Sequence, residues 1–161
     1  MPTTRLALET YLVGADLRSG MLGANMVRVG LYDPATATLG AIPALAGPIS
    51  AALASLGLSV ADETNPTDMD LLSVTTLQRQ QLRDMARLEC LDAILGNWSA
   101  PNETSGPDSQ DWGSLRDGLQ RDRDALRAWI MKTYRITTTA SGLRKGTIDL
   151  AFTRRGRSEL G

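Results

Sequence analysis

The densest group of chemically capable side chains in this 161-residue sequence is Asp62, Glu63, Asp68 and Asp70, four carboxylates within nine residues. Oxygen donors grouped in this way could hold a hard cation. The spacing is not that of an EF-hand loop, because the turn glycine and the terminal acid are both missing. The acids are therefore read as a solvated helix N-terminus, where the helix dipole favours negative charge, and no metal is expected. Cys90 is the only cysteine and the chain has no histidine. That combination removes histidine triads and proton shuttles, zinc fingers, dithiol redox chemistry and any disulfide within the chain. Cys90 sits near an apolar row with no histidine to activate it, so it is read as a buried structural thiol. Carboxylate pairs alone remain as acid and base, and neither an enzyme nor a cofactor is expected.

The segment Gly142-Leu-Arg-Lys-Gly-Thr147 brings glycine and basic residues together as phosphate cradles do. It lacks the spacing of a P-loop and precedes a strand pattern rather than a helix, so it is read as a turn. Asn97-Trp-Ser99 and Asn102-Glu-Thr104 match the glycosylation sequon, which matters only on a secretory route that nothing else in the sequence indicates. Trp98, Trp112 and Trp129 could stack bases, but helical periodicity puts Trp112 and Trp129 on an apolar face, as core or interface anchors. Arg154, Arg155 and Arg157 could touch phosphates or an acidic protein surface.

These residues must be positioned by a single domain of modest size: 42% of residues are hydrophobic, 22% charged and 4% aromatic, with a net charge of −1. Met1 to Val13 is not read as a signal peptide, since it carries charge within a periodic apolar pattern. The uncharged stretch from Ala35 to Ala61 is rich in Ala, Gly, Ser and Thr and interrupted by Pro43 and Pro48, so it is not read as a membrane span.

Thr3 or Thr4 can cap a short helix carrying Leu6, Leu8, Tyr11 and Leu12, with Gly14 as its stop. Ala15 to Gly40 is ambiguous, with a turn at Asp33-Pro34. Pro48 suits a first helical position, and Ile49, Leu53 and Leu56 follow at helical spacing until Gly57. A long helix is expected to begin at Thr67-x-x-Asp70, a capping arrangement, and to bury Leu71, Val74, Leu77, Leu82, Met85, Leu88, Leu91, Ile94 and Leu95 until Gly96. A polar loop from Ser99 to Ser109 leads to a second long helix from about Asp111 to Tyr134, on which Trp112, Leu115, Leu119, Leu126, Trp129 and Ile130 recur at helical spacing. Two such helices joined by a loop predict an antiparallel hairpin. Beyond Tyr134 the period changes to two: Ile136 to Thr139 favours β structure, and Ile148, Leu150 and Phe152 alternate with Thr147, Asp149 and Ala151. The expected architecture is mainly α: a helical bundle on a long antiparallel pair, over 1–135 with an Ala/Gly-rich loop region at about 20–61. An extended C-terminal β arm and basic tail follow at 136–161. Charge is uneven along this layout, at 0 for residues 1–60, −7 for 61–120 and +6 for 121–161. An acidic middle and a basic end can pair head to tail with a second copy or face two different partners.

Small leading helices, a long helix pair and a C-terminal segment Gly142-Leu-Arg-Lys-Gly-Thr-Ile-Asp-Leu-Ala-Phe152 together resemble the head-tail adaptor, or head-completion, proteins of tailed double-stranded DNA bacteriophages. The resemblance spans roughly Asp68 to Phe152 and lies in layout. It implies a structural virion protein made in the host cytoplasm, located in the neck between head and tail. It implies a ring, dodecameric like the portal, that joins the portal to the next tail or neck ring and lets genomic DNA pass without sequence-specific binding. Carried onto this chain, Ile148, Leu150 and Phe152 would form the row that docks into the portal, with Ile136 leading into the arm and Arg154 and Arg155 following it. An unpaired strand of period two is itself an edge open to another protein's sheet. The segment from Gly20 to Ala61 has no counterpart in that layout, and a loop facing the DNA channel or the next ring is one place for it. The alternative from the residues alone is a small helical nucleic-acid-binding or regulatory module that uses the basic final third.

Overall fold

A computed structural model describes residues 3–98 and 112–135. Among these the chain is mainly helical, with one two-stranded sheet. Helix α1 spans Arg5–Val13, a hairpin pairs β1 (Asp16–Leu17) with β2 (Gly20–Met21), and α2 covers Leu22–Arg28. Helices α3 (Pro43–Ser55), α4 (Asp68–Leu71), α5 (Thr76–Gly96) and α6 (Trp112–Tyr134) complete the order. Helix α5 is the central element: it packs against α3 and α6 and also touches α1 and α2. Its buried row, Leu82, Met85, Leu88, Leu91 and Ile94, steps by three and four residues and meets Leu45, Ile49 and Leu53 of α3 in one core.

The expected first helix is present with its caps. The Thr4 hydroxyl accepts from the Ala7 N–H at 3.2 Å, and Gly14 is the C-cap. Other boundaries differ from expectation. Pro48 does not begin α3; Pro43 does, and Pro48 lies inside the helix. Proline cannot donate to the carbonyl one turn back, yet the helix runs through it because Leu45 and Ala46, ahead of Pro48, are buried at 0% and 3% exposure. The long helix expected from Thr67 is split into α4 and α5. Val74-Thr75-Thr76 is a β-branched run, and Thr75 is extended at φ −70°, ψ 162°. Thr75 then opens a second capping box: its hydroxyl accepts from the Gln78 N–H at 3.2 Å, and Gln78 Oε1 accepts from the Thr75 N–H at 3.1 Å. Because α5 begins only there, Leu77 lies on its outer side and is 91% exposed instead of buried.

Within the Ala/Gly-rich region of 20–61, read from sequence as loop-like, α2 and α3 supply Leu22, Met26, Leu45, Ile49 and Leu53 to the core. Small residues let backbones approach closely there: a Cβ on Gly23 would stand 2.6 Å from the Val13 carbonyl oxygen. No described helix is long and apolar enough to cross a membrane.

Contacts between α5 and α6 run in opposite order along the two helices. Trp98, just past α5, meets Trp112 edge-on at 5.9 Å between ring centroids. Asp92 pairs with Arg123 at 3.4 Å and with Arg127 at 3.2 Å, and Asp84 receives the Tyr134 hydroxyl at 2.7 Å. Only Leu119 and Ile130 of α6 are fully buried. Trp129 is 46% exposed, so the apolar face expected for it does not place it in the core.

Candidate functional site

The residues singled out for partner binding, Ile136, Ile148, Leu150, Phe152, Arg154 and Arg155, lie outside the described residues, as do the Ser99 to Ser109 loop and the Gly142 to Thr147 turn. What the fold does define is the point from which that segment departs. Tyr134 closes α6 with its hydroxyl on Asp84, a carboxylate only 4% exposed that also accepts from Gln80 Nε2 at 3.2 Å. Trp129 packs edge-on against the Tyr134 ring at 5.6 Å. Arg83, next to Asp84 on α5, lies over the Tyr11 ring at 5.0 Å. Burial, the Asp84 carboxylate and Tyr11 together hold the Tyr134 hydroxyl in its neutral form well above the ordinary tyrosine range. Arg135 follows with a positive φ of 54°, outside the helical range, which ends α6 at Tyr134.

Three of the four carboxylates singled out as oxygen donors, Asp62, Asp68 and Asp70, are turned toward backbone donors. Asp70 accepts from the Thr67 N–H at 2.7 Å, the Thr67 hydroxyl at 2.9 Å and the Ala61 N–H at 3.0 Å. Asp62 accepts from the Thr64 hydroxyl at 2.6 Å and N–H at 2.9 Å, and Asp68 from the Arg5 N–H at 2.6 Å. These bonds lower the Asp62 and Asp70 carboxyls below the usual range, Asp62 through Thr64 and Asp70 through Thr67 and Ala61. Among the described residues no group of three His, Cys, Asp or Glu side chains could hold a metal ion. Cys90 is 1% exposed, and burial, with Glu89 adding to it, pushes its thiol far above the normal range. It is an unreactive core side chain.

The most elaborate polar cluster is one that periodicity did not single out. Arg5 and Glu9, one turn apart on α1, form a buried ion pair at 2.7 Å, with the residues 6% and 0% exposed. The Arg5 guanidinium also donates to the Asn65 side-chain oxygen at 2.6 Å, the Pro66 carbonyl at 2.9 Å and the Ile42 carbonyl at 3.2 Å. Glu9 accepts from the Gly40 N–H at 2.5 Å and the Ile42 N–H at 3.2 Å. Two chain segments distant in sequence, 40–42 and 65–68, are thus clamped to α1. All of these bonds are internal and the pair is closed to solvent, so it positions the loops rather than a ligand. The sequence signal was the spacing of opposite charges at i and i+4, which also occurs on ordinary wet helix faces.

The loops so clamped shape two shallow concavities. One, of about 510 Å3, runs along α3 past Pro43, Gly47, Ala51 and Ala54 to Glu63 and Thr64. The other, of about 430 Å3, lies between Leu6 on α1, Gly40 and Ala41, and Pro66 to Met69. No family model, curated protein or solved structure matches the chain.

Proposed function

We propose that the chain is a non-catalytic structural adaptor of the head-tail type, in which a body built on a long antiparallel helix pair, α5 and α6, carries a C-terminal arm that engages another protein. The observation that carries this reading is the reversed order of contacts from Trp98–Trp112 to Asp84–Tyr134, which brings the end of α6 back along α5 to the Asp84 latch. Among the described residues, buried side chains from every helix form one core cluster. The alternating row Ile148, Leu150 and Phe152 lies beyond these helices in sequence, and its period of two suits addition to the sheet edge of a partner. On this reading the arm binds a portal, copies associate laterally into a ring with closed cyclic symmetry, and the ring meets the tail while DNA passes through its centre.

Against a nucleic-acid role for the basic third, Arg123 is held between Asp92 and Asp124, and Arg127 also binds Asp92, so two of its cations are already neutralised within the body. Native mass spectrometry with negative-stain imaging, alone and with a co-expressed portal protein, tests the reading. A closed ring of about a dozen copies, or a portal complex lost on Phe152→Asp with helical content unchanged, is the expected result. A monomer that ignores the portal and binds arbitrary duplex with steep salt dependence, reduced by neutralising Arg154, Arg155 and Arg157, would replace it with the nucleic-acid reading.

A further inference from the structure

Three large apolar side chains stand out of the body, two of them on the wall of the smaller concavity and the third one helical turn beyond. Leu6 on α1 is 52% exposed, Met69 on α4 is 74% exposed, and Leu72, three residues beyond Met69, is 58% exposed. Leu6 and Met69 both line the hollow, with Gly40, Ala41 and Pro66 between them. A single exposed leucine needs no explanation, but a group of them around a concavity is the geometry of a docking surface.

Acids outnumber cations around this surface. Asp68 is part of its wall, as is Arg5, whose guanidinium is paired with Glu9. Asp70 is bonded to Thr67 in the same wall, and Asp62 and Glu63 lie just before it in sequence, Glu63 on the wall of the neighbouring concavity along α3. Between Arg28 and Arg79 the sequence contains five carboxylates, Asp33 and these four, and not one lysine or arginine. That fifty-residue stretch supplies no cation of its own, and Arg5 in the wall is already paired with Glu9, so the remaining field favours a cation from elsewhere.

The C-terminal segment carries the complement. Ile148, Leu150 and Phe152 present apolar side chains at alternate positions, preceded by Arg144 and Lys145 and followed by Arg154, Arg155 and Arg157. Its point of departure is also close. Tyr134 is bonded to Asp84, the adjacent Arg83 lies over the ring of Tyr11, and Tyr11 and Leu6 are five residues apart on α1, about 7.5 Å of helical rise. The chain between Arg135 and Ile148 can span up to about 40 Å when extended, several times that rise. A segment tethered this near experiences its own body at an effective concentration of about millimolar, above that of any second copy in dilute solution.

We propose that in the free chain the segment 141–161 docks on the acidic-rimmed apolar surface between α1 and α4 of its own body. Ile148, Leu150 and Phe152 cover Leu6, Met69 and Leu72, and the flanking basic residues face Asp62, Glu63, Asp68 and Asp70. Docking in this way sheathes an alternating apolar row that would otherwise invite edge-to-edge aggregation. The docking does not rest on the portal reading. If the arm does serve a portal, the same contact becomes the autoinhibited state that the portal displaces, and a partner must outcompete a tethered rival before the arm is released.

Photo-cross-linking in the full-length chain tests this without any partner protein, so its outcome is separate from that of the portal experiment. With benzoylphenylalanine in place of Phe152, the expected product migrates as a monomer and maps to peptides containing Leu6 or Met69. Leu6→Asp and Met69→Asp, at exposed positions that tolerate polar side chains, should each lower the yield several-fold. Glu63→Lys should lower it as well, Arg155→Glu combined with Glu63→Lys should restore part of it, and raised salt should weaken it. Cross-links mapped elsewhere, cross-links between chains, no cross-link, or a yield indifferent to Leu6, Met69 and salt would each overturn the proposal. Circular dichroism of every variant confirms that the body remains folded.

Discussion

Replacing Glu9 by alanine removes the acceptor on which the α1 clamp depends. The carboxylate is fully buried and takes the Arg5 Nε–H at 2.7 Å and the backbone N–H groups of Gly40 and Ile42 at 2.5 and 3.2 Å. Without it two backbone donors lose their partner, at about 1 kcal/mol or more each. The Arg5 guanidinium keeps its oxygens on Asn65, Pro66 and Ile42 but has no counter-charge. Breaking a buried pair from one side costs about 3–5 kcal/mol, a large share of the roughly 5–15 kcal/mol that holds a domain of this size together. Urea unfolding followed by tryptophan fluorescence reads the loss as a lower midpoint at similar slope. Arg5→Met alone should also destabilise, and the double variant should cost at least about 1 kcal/mol less than the sum, because the second change removes a charge that the first had orphaned. Leu77→Ala, at 91% exposure, is the control and should stay within about 0.5 kcal/mol. A Glu9→Ala cost below about 1 kcal/mol, or strict additivity with Arg5→Met, would refute the clamp as a source of stability.

Gly23→Ala forces a methyl to 2.6 Å from the Val13 carbonyl oxygen, so α1 and α2 must move apart; a loss of about 1–3 kcal/mol is expected from the same unfolding curves. Gly96→Ala, in the last turn of α5 with open space at its Cβ, should instead be neutral or stabilise by up to about 1 kcal/mol, and equal effects at the two sites would contradict the packing described. The raised Tyr134 hydroxyl contributes stability that is complete below the ordinary tyrosine pKa of about 10 and is lost as pH rises through the folded value. Ultraviolet titration should therefore show one of the three tyrosines ionising later than the others, and Tyr134→Phe should remove that late step. Cys90 should resist aromatic disulfide reagents in the native protein and react fully in urea; rapid native labelling would place the thiol outside the core.

Much of the helical skeleton was open to a reading of spacing and caps. Thr4 and Gly14 bracket α1, the three- and four-residue steps from Leu82 to Ile94 are the buried face of α5, and Gly96 and Tyr134 stand at the ends of the two long helices. Local signals failed where two of them competed. Pro48 resembles a helix start in isolation, but Pro43 is another, and burial of Leu45 selects it. Thr67 with Asp70 and Thr75 with Gln78 are both capping arrangements, and only the second opens the long helix. Leu77 then follows its new register out of the core.

The candidate site divides in the same manner. Composition alone determined that this chain has no histidine, no disulfide within itself and no zinc-finger or dithiol chemistry, and charge counting separated an acidic middle from a basic end. Those are properties of residue content and need no coordinates. Which backbone donors the acids at 62–70 meet, whether Arg5 and Glu9 are wet or buried, and whether Leu6 and Met69 line one hollow depend on which distant segments come together. Tertiary structure decided these, because the partners of Arg5 lie at positions 42, 65 and 66, and Asp84 meets Tyr134 fifty residues away. A charge or a leucine has the same local pattern whether it is covered or not, and only the packing of the rest of the chain covers it.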